Sequence, residues 1–328
     1  MEEFFEIEEY KQSYLTQKRL DFLYDENWFK MFVPKDYGGL ELSLTEGVKI
    51  LTKAATIQGG LGWTLNLGAG ANWFSGFFND STAKLLFSSP KAVIAGSGFV
   101  SGTYEVNDSK VMLNGKWSRC TGAAHASLFS LNAKSESGKI TSFVVPKEKV
   151  KLSEDKWPIF GLKNTSSHTI ALNKVEILRE YGFKINDIKN HEEYAMFHIP
   201  FESFARVCMT SSFIGIVKCL VRLIERDLLS KKPELAADIQ KILKLILKSE
   251  AKRNELSEEL SYLSFSKELS VNFETQLKAQ LGENNELLYE LVQQLFFKGG
   301  LPFVEEDQLI HWAYRDVLTG VQHYMVKP

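Results

Sequence analysis

Cysteine is scarce: Cys120, Cys208 and Cys219 are the only three in 328 residues. An odd number at wide spacing excludes a disulfide framework and points to a reducing compartment. No paired-cysteine or cysteine–histidine spacing suits zinc, so no metal site is expected. Charge of one sign does not accumulate either. Lys and Arg total 39, Asp and Glu 41, and the net charge is -2. This leaves no basic stripe for nucleic acid and no charged tail. The longest apolar runs read as far short of a membrane span, and no membrane is expected. The opening residues, Met1-Glu2-Glu3-Phe4-Phe5, are acidic and lack the basic start and apolar core of a signal peptide. A cytoplasmic protein is the expectation. What remains is ordinary globular composition, 44% hydrophobic and 24% charged, in a length suited to about two domains.

Three zones follow one another along the chain. Residues 1–88 read as helical. Ser43-Leu44-Thr45-Glu46 has the composition of a helix start, and Val48, Ile50, Leu51, Ala54 and Ala55 continue its apolar positions. Ahead of it, Pro34 and Gly38-Gly39 break helix and force a tight turn. The Gly- and Ala-rich segment 59–76 can pack closely as a buried helix, with Trp63 and Trp73 as core residues. From about 90 to 180 the pattern changes to period two. Candidate strands are 92–95, 104–106, 110–113, 127–133, 141–145, 169–172 and 175–178, with Asn107-Asp108-Ser109 as a hairpin signal. From about 198 the chain is helical again. Leu235, Ile239, Ile242, Ile246, Leu256, Leu260 and Leu263 recur at steps that form one apolar face. Lys241, Lys244, Lys248, Lys252 and Arg253, mixed with acids, form its solvated face. A third helix stops at Gly299-Gly300, and a last one is expected over 309–325, completing a four-helix bundle.

Four motifs lie on this frame. Val33-Pro34-Lys35-Asp36-Tyr37-Gly38-Gly39 is the first. Leu113-Asn114-Gly115-Lys116-Trp117 with Thr121-Gly122-Ala123-Ala124-His125-Ala126 is the second. The third runs from Trp157 through Gly161-Leu162-Lys163-Asn164-Thr165-Ser166-Ser167, with Lys163 where the resembled stretch has arginine. Gly299-Gly300 and Arg315-Asp316 are the fourth. In this order they resemble the acyl-CoA dehydrogenase superfamily over nearly the whole chain. The resemblance implies an α+β fold: an N-terminal helical domain (1–88), a middle β-barrel or sheet domain facing flavin (89–182), and a C-terminal four-helix bundle (183–328). It implies a flavin cofactor, FAD or FMN, and a homo-oligomer, tetramer or dimer. Against the resembled family the chain reads as short, mostly because its first helices are expected to be trimmed.

A branch is implied too. Trp117-Ser118-Arg119-Cys120-Thr121-Gly122 resembles the Trp-x-Phe-x-Ser-Gly of two-component flavin monooxygenases. Those enzymes take reduced flavin from a separate flavin reductase and use oxygen on a small-molecule substrate. They carry a C-terminal Arg-Asp and then a histidine, here Arg315-Asp316 and His323. The dehydrogenases carry a catalytic glutamate within Tyr-Glu-Gly, where this chain has Val321-Gln322-His323-Tyr324. The expectation is a flavin-dependent oxidoreductase of the oxygenase branch. Two alternatives stay open: an FAD-dependent acyl-CoA dehydrogenase with its base elsewhere, and a non-catalytic relative serving binding or assembly.

On that resemblance Trp117, Arg119, Thr121, Gly122, Thr165, Ser167 and Arg315 are cofactor-binding candidates and His323 is the catalytic one. Thr121 could hydrogen-bond the flavin edge, and Gly122 could let the backbone approach the ring. A plain turn after a strand would use the same residues. Arg119 stands where the resembled motif has an aromatic; it can stack on a planar ring or meet a phosphate, or mark an altered pocket. Thr165 and Ser167 offer hydroxyls to a cofactor or to the local backbone. Arg315 is expected to pair with a bundle acid or a partner subunit. Histidine at 323 can deprotonate a phenol near neutral pH, or be a surface residue. His125 and His168 fall beside the flavin-like motifs, where turn positions are their ordinary use. His311 reads as lying on a mixed surface. Leu295-Phe296-Phe297 suggests an apolar patch that wants a partner.

Overall fold

The computed structural model describes residues 5–328; Met1 to Phe4, on which most of the N-terminal reading rests, lie outside the described residues. Five helices come first: α1 Ile7–Lys11, α2 Gln17–Asp25, α3 Leu44–Ile57, α4 Gly59–Asn72 and α5 Asp80–Leu86. The capping box of α3 forms as read. Ser43 Oγ accepts the Glu46 N–H at 3.3 Å, and Glu46 Oε2 accepts the Ser43 N–H at 2.9 Å. Trp73 is fully buried against Phe204, ring centroids 4.6 Å apart, with its indole N–H donated to the Met196 carbonyl at 2.9 Å. Asn72 ties α4 to the sheet: its amide donates to the Phe29 and Ala92 carbonyls and accepts the Ile94 N–H.

Seven strands follow: β1 Ile94–Asn107, β2 Lys110–Cys120, β3 Leu128–Lys134, β4 Ile140–Pro146, β5 Lys151–Lys156, β6 His168–Leu178 and β7 Gly182–Phe183. They form one sheet in the order β5-β6-β2-β1-β3-β4-β7. Only the β1–β3 pair is parallel. The hairpin turns at Asp108-Ser109, where Asn107 faces Lys110. The two strands expected at 169–172 and 175–178 are one strand, β6. A bulge between them, with Lys174 at φ 51°, interrupts the alternation and reads in sequence as a gap.

The C-terminal helices are α6 Phe201–Asp227, α7 Ala236–Phe265, α8 Val271–Gly299 and α9 Leu309–Gly320. Helix α9 stops at Gly320, short of the expected Met325. The last residues turn back into the bundle, where Arg206 donates to the Met325 and Lys327 carbonyls and Asn285 to the Val326 carbonyl. Helix α6 corrects the membrane reading. By length and composition it is apolar enough to cross a membrane, but 89% of its most apolar window is buried inside the molecule. The apolar face of α7 supplies Ile239, Ile242 and Ile246 to the bundle core. The expected patch at 295–297 divides: Leu295 is core, Phe296 stacks on Tyr314 at 4.7 Å, and Phe297 alone points outward.

The three zones meet at one seam. Gly59 and Gly60, at the start of α4, approach it so closely that a side chain at Gly60 would lie 1.8 Å from Asn164 Oδ1. Gln58, Asn164 and Asp316 interlock there, one residue from each zone.

Candidate functional site

Two loops meet where β2 ends and β6 begins. The Gly122 N–H donates to the Thr165 carbonyl at 2.9 Å, and the Ala123 N–H to the Ser166 carbonyl at 3.1 Å. Thr121 Oγ1 lies 3.0 Å from Ser167 Oγ, which lies 3.2 Å from Thr165 Oγ1; the Thr165 hydroxyl also donates to the Leu162 carbonyl. The structure thus brings Thr121, Gly122, Thr165 and Ser167 together. Gly122 has φ +80°, a region that suits glycine. Leu162 and Ser166, at φ 52° and 51°, hold the second loop in the same left-handed region without being glycine. Such conformations persist where surrounding bonds fix them.

Beside these hydroxyls opens a cleft of about 460 Å³, lined by Trp157, Phe160, Lys163, Thr165, Ser167 and His168 among others. Three cations border it against aromatic rings. The Arg119 guanidinium lies 5.1 Å from the Trp157 ring centre and 5.9 Å from that of Phe99. Arg315 lies 4.3 Å from Phe160 and 4.5 Å from Trp312, and Lys163 Nζ lies 5.5 Å from Trp312. Among the described residues, no carboxylate within ion-pair distance neutralises any of the three. Phe99, Trp157 and Phe160 are exposed. Unneutralised cations beside exposed ring faces suit a planar anion.

Of the pairings expected for Arg315, the one with a bundle acid is corrected: among the described residues no carboxylate pairs with it, and it donates instead to the Phe160 carbonyl at 2.7 Å and to His311 Nε2 at 3.2 Å. His311 is buried, not on a mixed surface. Its Nδ1 lies 3.0 Å from the Phe303 carbonyl. A carbonyl can only accept, so the proton sits on Nδ1 and Nε2 is free to accept from Arg315. Trp117 is corrected too. It has no exposed surface and its indole N–H donates to the Asn132 carbonyl at 2.8 Å, so it packs the sheet and faces no cleft. Arg119, two residues on, would follow it inward by strict alternation. A bulge between Trp117 and Cys120, with Arg119 at φ 61°, turns it outward onto Trp157.

The histidines separate by environment. His125 is tucked under Gly122 against Phe29, and burial pushes its pKa down to about 4. His168 Nδ1 donates to the Ser153 carbonyl at 3.2 Å. His323 has no recorded contact with the hydroxyl cluster. It lies edge-on to Trp63, ring centres 5.6 Å apart, and stacks on Tyr324. Burial first, and the nearby Arg206 second, push its pKa to about 4, so it is neutral at pH 7. Its Nδ1 accepts the Met325 N–H at 3.3 Å. The proton of the neutral ring therefore sits on Nε2, and this histidine is held as a hydrogen-bond donor.

Sequence reasoning missed the seam residue Asp316 as a group in its own right. Its Oδ1 accepts the Leu162 N–H at 2.5 Å and its Oδ2 lies 3.4 Å from Gln58 Nε2. Burial raises its pKa to about 7, against weaker lowering by the Leu162 N–H and Arg315. Trp157 and Phe160 stand in the third motif without a distinguishing residue pattern, and their exposure marks them as lining residues.

No family model matches the chain. Among curated proteins it is 23% identical over 212 residues to indole-3-acetate monooxygenase of Pseudomonas putida, covering 63% of this chain and 54% of that protein. It is 25% identical over 220 residues to the Acinetobacter baumannii protein of the same name, covering 66% and 56%. The chain thus spans about half the length of the curated relatives it matches. The oxygenase subunit HsaA of a flavin-dependent monooxygenase from Mycobacterium tuberculosis is 25% identical over 181 residues, covering 54% and 45%. Among solved structures, XiaF from a Streptomyces species in complex with FADH2 superposes with TM-score 0.85 at 17% identity, covering 98% of this chain and 87% of that one. The M. tuberculosis HsaA monooxygenase gives 0.86 at 18%, covering 96% and 87%. TdsC from a Paenibacillus species, with FMN and indole, gives 0.78 at 15%, covering 95% and 88%. The fold is that of the acyl-CoA dehydrogenase-like flavin monooxygenases.

Proposed function

We propose that this protein is the oxygenase component of a reduced-flavin-dependent monooxygenase. It would receive reduced FAD or FMN from a separate reductase and use oxygen to oxidise a small molecule in the cytoplasm. The observation that carries this reading is the cleft at the β2–β6 loops, where Arg119 and Arg315 stand beside the exposed rings of Trp157 and Phe160 and Lys163 lines the opening, none of the three with a carboxylate partner among the described residues. Its volume and chemistry suit a planar ring bearing a phosphate. A bound flavin would supply the oxygen-activating chemistry. Trp157 and Phe160 would pack the ring, and the three cations would hold its phosphate. Gly122 would allow close approach, and Thr121 and Ser167 would offer hydroxyls to the ring edge. His323 would donate from Nε2 to a substrate oxygen. No carboxylate occupies 321–324, which speaks against proton abstraction from an acyl thioester at that position. A homodimer or homotetramer belongs to the same proposal, with outward-facing Phe297 as one contact.

Anaerobic titration tests it. Chemically reduced FMN or FAD should bind more tightly than the oxidised form, and Arg119→Ala and Arg315→Ala should weaken that binding. If neither flavin binds in either oxidation state, the proposal fails.

A further inference from the structure

A second cleft, of about 390 Å³, lies in the N-terminal helices and shares no lining residue with the first. Its walls include the half-buried Tyr24 and the exposed Pro90, and Lys30 lies on its floor beside the backbone of the buried Phe87. Lys30 is 2% exposed. Its ammonium donates to the Phe87 carbonyl at 2.8 Å and the Tyr37 carbonyl at 3.2 Å. Those bonds staple the Pro34–Gly39 turn to the end of α5. They do not neutralise the charge, and among the described residues no carboxylate pairs with Lys30. A buried ammonium without a counter-charge is costly, and its third N–H is left over. That hydrogen has a direction open to it. A side chain built on Gly38, which also lines the cleft, would meet only one atom within 4 Å, Lys30 Nζ at 3.5 Å.

The other charges at the cleft are accounted for. Lys84 pairs with Asp80 at 2.8 Å, and Lys91, above the Tyr24 ring, pairs with Asp21 at 3.3 Å. Asp36, at the rim, lies 3.8 Å from His191 Nε2 and would repel a second negative charge. One unneutralised ammonium, an aromatic wall and an acidic rim together select a single negative charge on a flat apolar body.

We propose that this cleft binds a small monoanionic aromatic carboxylate, held by Lys30 and packed against Tyr24 and Pro90. The Tyr24 hydroxyl donates to the His125 carbonyl at 3.5 Å, so the ring that would pack the ligand also touches the turn that carries Thr121 and Gly122.

Calorimetric titration with benzoate tests the site, with benzamide as the neutral analogue and inorganic phosphate as the multiply charged one. Benzoate should bind saturably to the unaltered protein, and benzamide and phosphate at least tenfold more weakly. Lys30→Met keeps the stem packing and removes the charge; it should weaken benzoate at least tenfold. Ser88→Trp blocks the cleft from an exposed position without touching the staple, and should have the same effect. It decides the matter alone if Lys30→Met does not fold. Reduced-flavin binding measured on Ser88→Trp should be unchanged, which separates this site from the first cleft. The proposal is overturned if the unaltered protein shows no saturable benzoate binding, or if phosphate binds more tightly. It is equally overturned if Ser88→Trp binds benzoate as well as the unaltered protein.

Discussion

Asp316 gives a prediction that can be worked through to a number. Its carboxyl is buried at the seam of all three zones, and burial lifts its pKa from the usual 3.8 to about 7. Near it lie Arg315, which stays charged, and Tyr10 and Cys219, whose pKa values are pushed up, that of Cys219 to about 12. Asp316 is therefore the seam group that titrates between pH 4 and 7. The sign follows from linkage. Its folded-state pKa lies above the unfolded one, so its stabilising contribution is full below about pH 4 and is lost as pH rises through about 7. The gap corresponds to on the order of 4 kcal/mol across that window. Asp316→Asn keeps an oxygen for the Leu162 N–H and cannot ionise. Urea unfolding of both proteins at several pH values isolates this one group, because the other titrations cancel in the difference. The variant should be more stable than the native protein by a few kcal/mol at pH 8, with that advantage shrinking steadily towards pH 4. A stability difference independent of pH would refute the reasoning.

Three further outcomes are expected. Arg119→Ala and Arg315→Ala should each weaken reduced-flavin binding by about 3- to 30-fold, the range of one desolvated cation–ring contact, read by anaerobic fluorescence titration; unchanged affinity in both would remove the cleft from cofactor binding. With a turnover assay in hand, the His323 ring should produce no limb in the rate profile between about pH 5 and 8, since its pKa is held near 4; His323→Gln, which keeps a donor, should retain more activity than His323→Ala, which should lose about 100-fold. The three thiols are buried, with those of Cys120 and Cys219 pushed up to about 12; a thiol reagent should label none in the native protein and all three after unfolding.

Local signals were the legible part of this fold. The Ser43 capping box, the hairpin at Asp108-Ser109 and the apolar positions of α7 depend on neighbours in sequence and form as read, but Arg253, expected on the solvated face of α7, is buried and donates to Thr52 Oγ1. Strand β5 was missed because Lys-Leu-Ser-Glu-Asp-Lys has no apolar alternation; it pairs with β6 through its backbone. Trp117 carried a usable signal. Val111, Leu113 and Trp117 share parity along β2 and all point inward. Arg119 carried a misleading one, because the bulge that reverses it leaves no mark in residue type. The cleft's cations were legible one by one, but not their common position. Arg119 comes from a strand, Lys163 from a loop and Arg315 from a helix, and only tertiary packing places them on one opening. Asp316 stayed hidden for the same reason: its partners lie 154 and 258 residues away in the chain.

The central claim concerns what this fold does to reduced flavin in the presence of oxygen. Mixing the anaerobic complex of protein and reduced flavin with aerated buffer, while following flavin absorbance and hydrogen peroxide release, tests it most directly. Re-oxidation should follow a time course set by the protein, with peroxide released more slowly than from free flavin. Re-oxidation and peroxide release indistinguishable from free flavin, at protein concentrations where all flavin is bound, would contradict it.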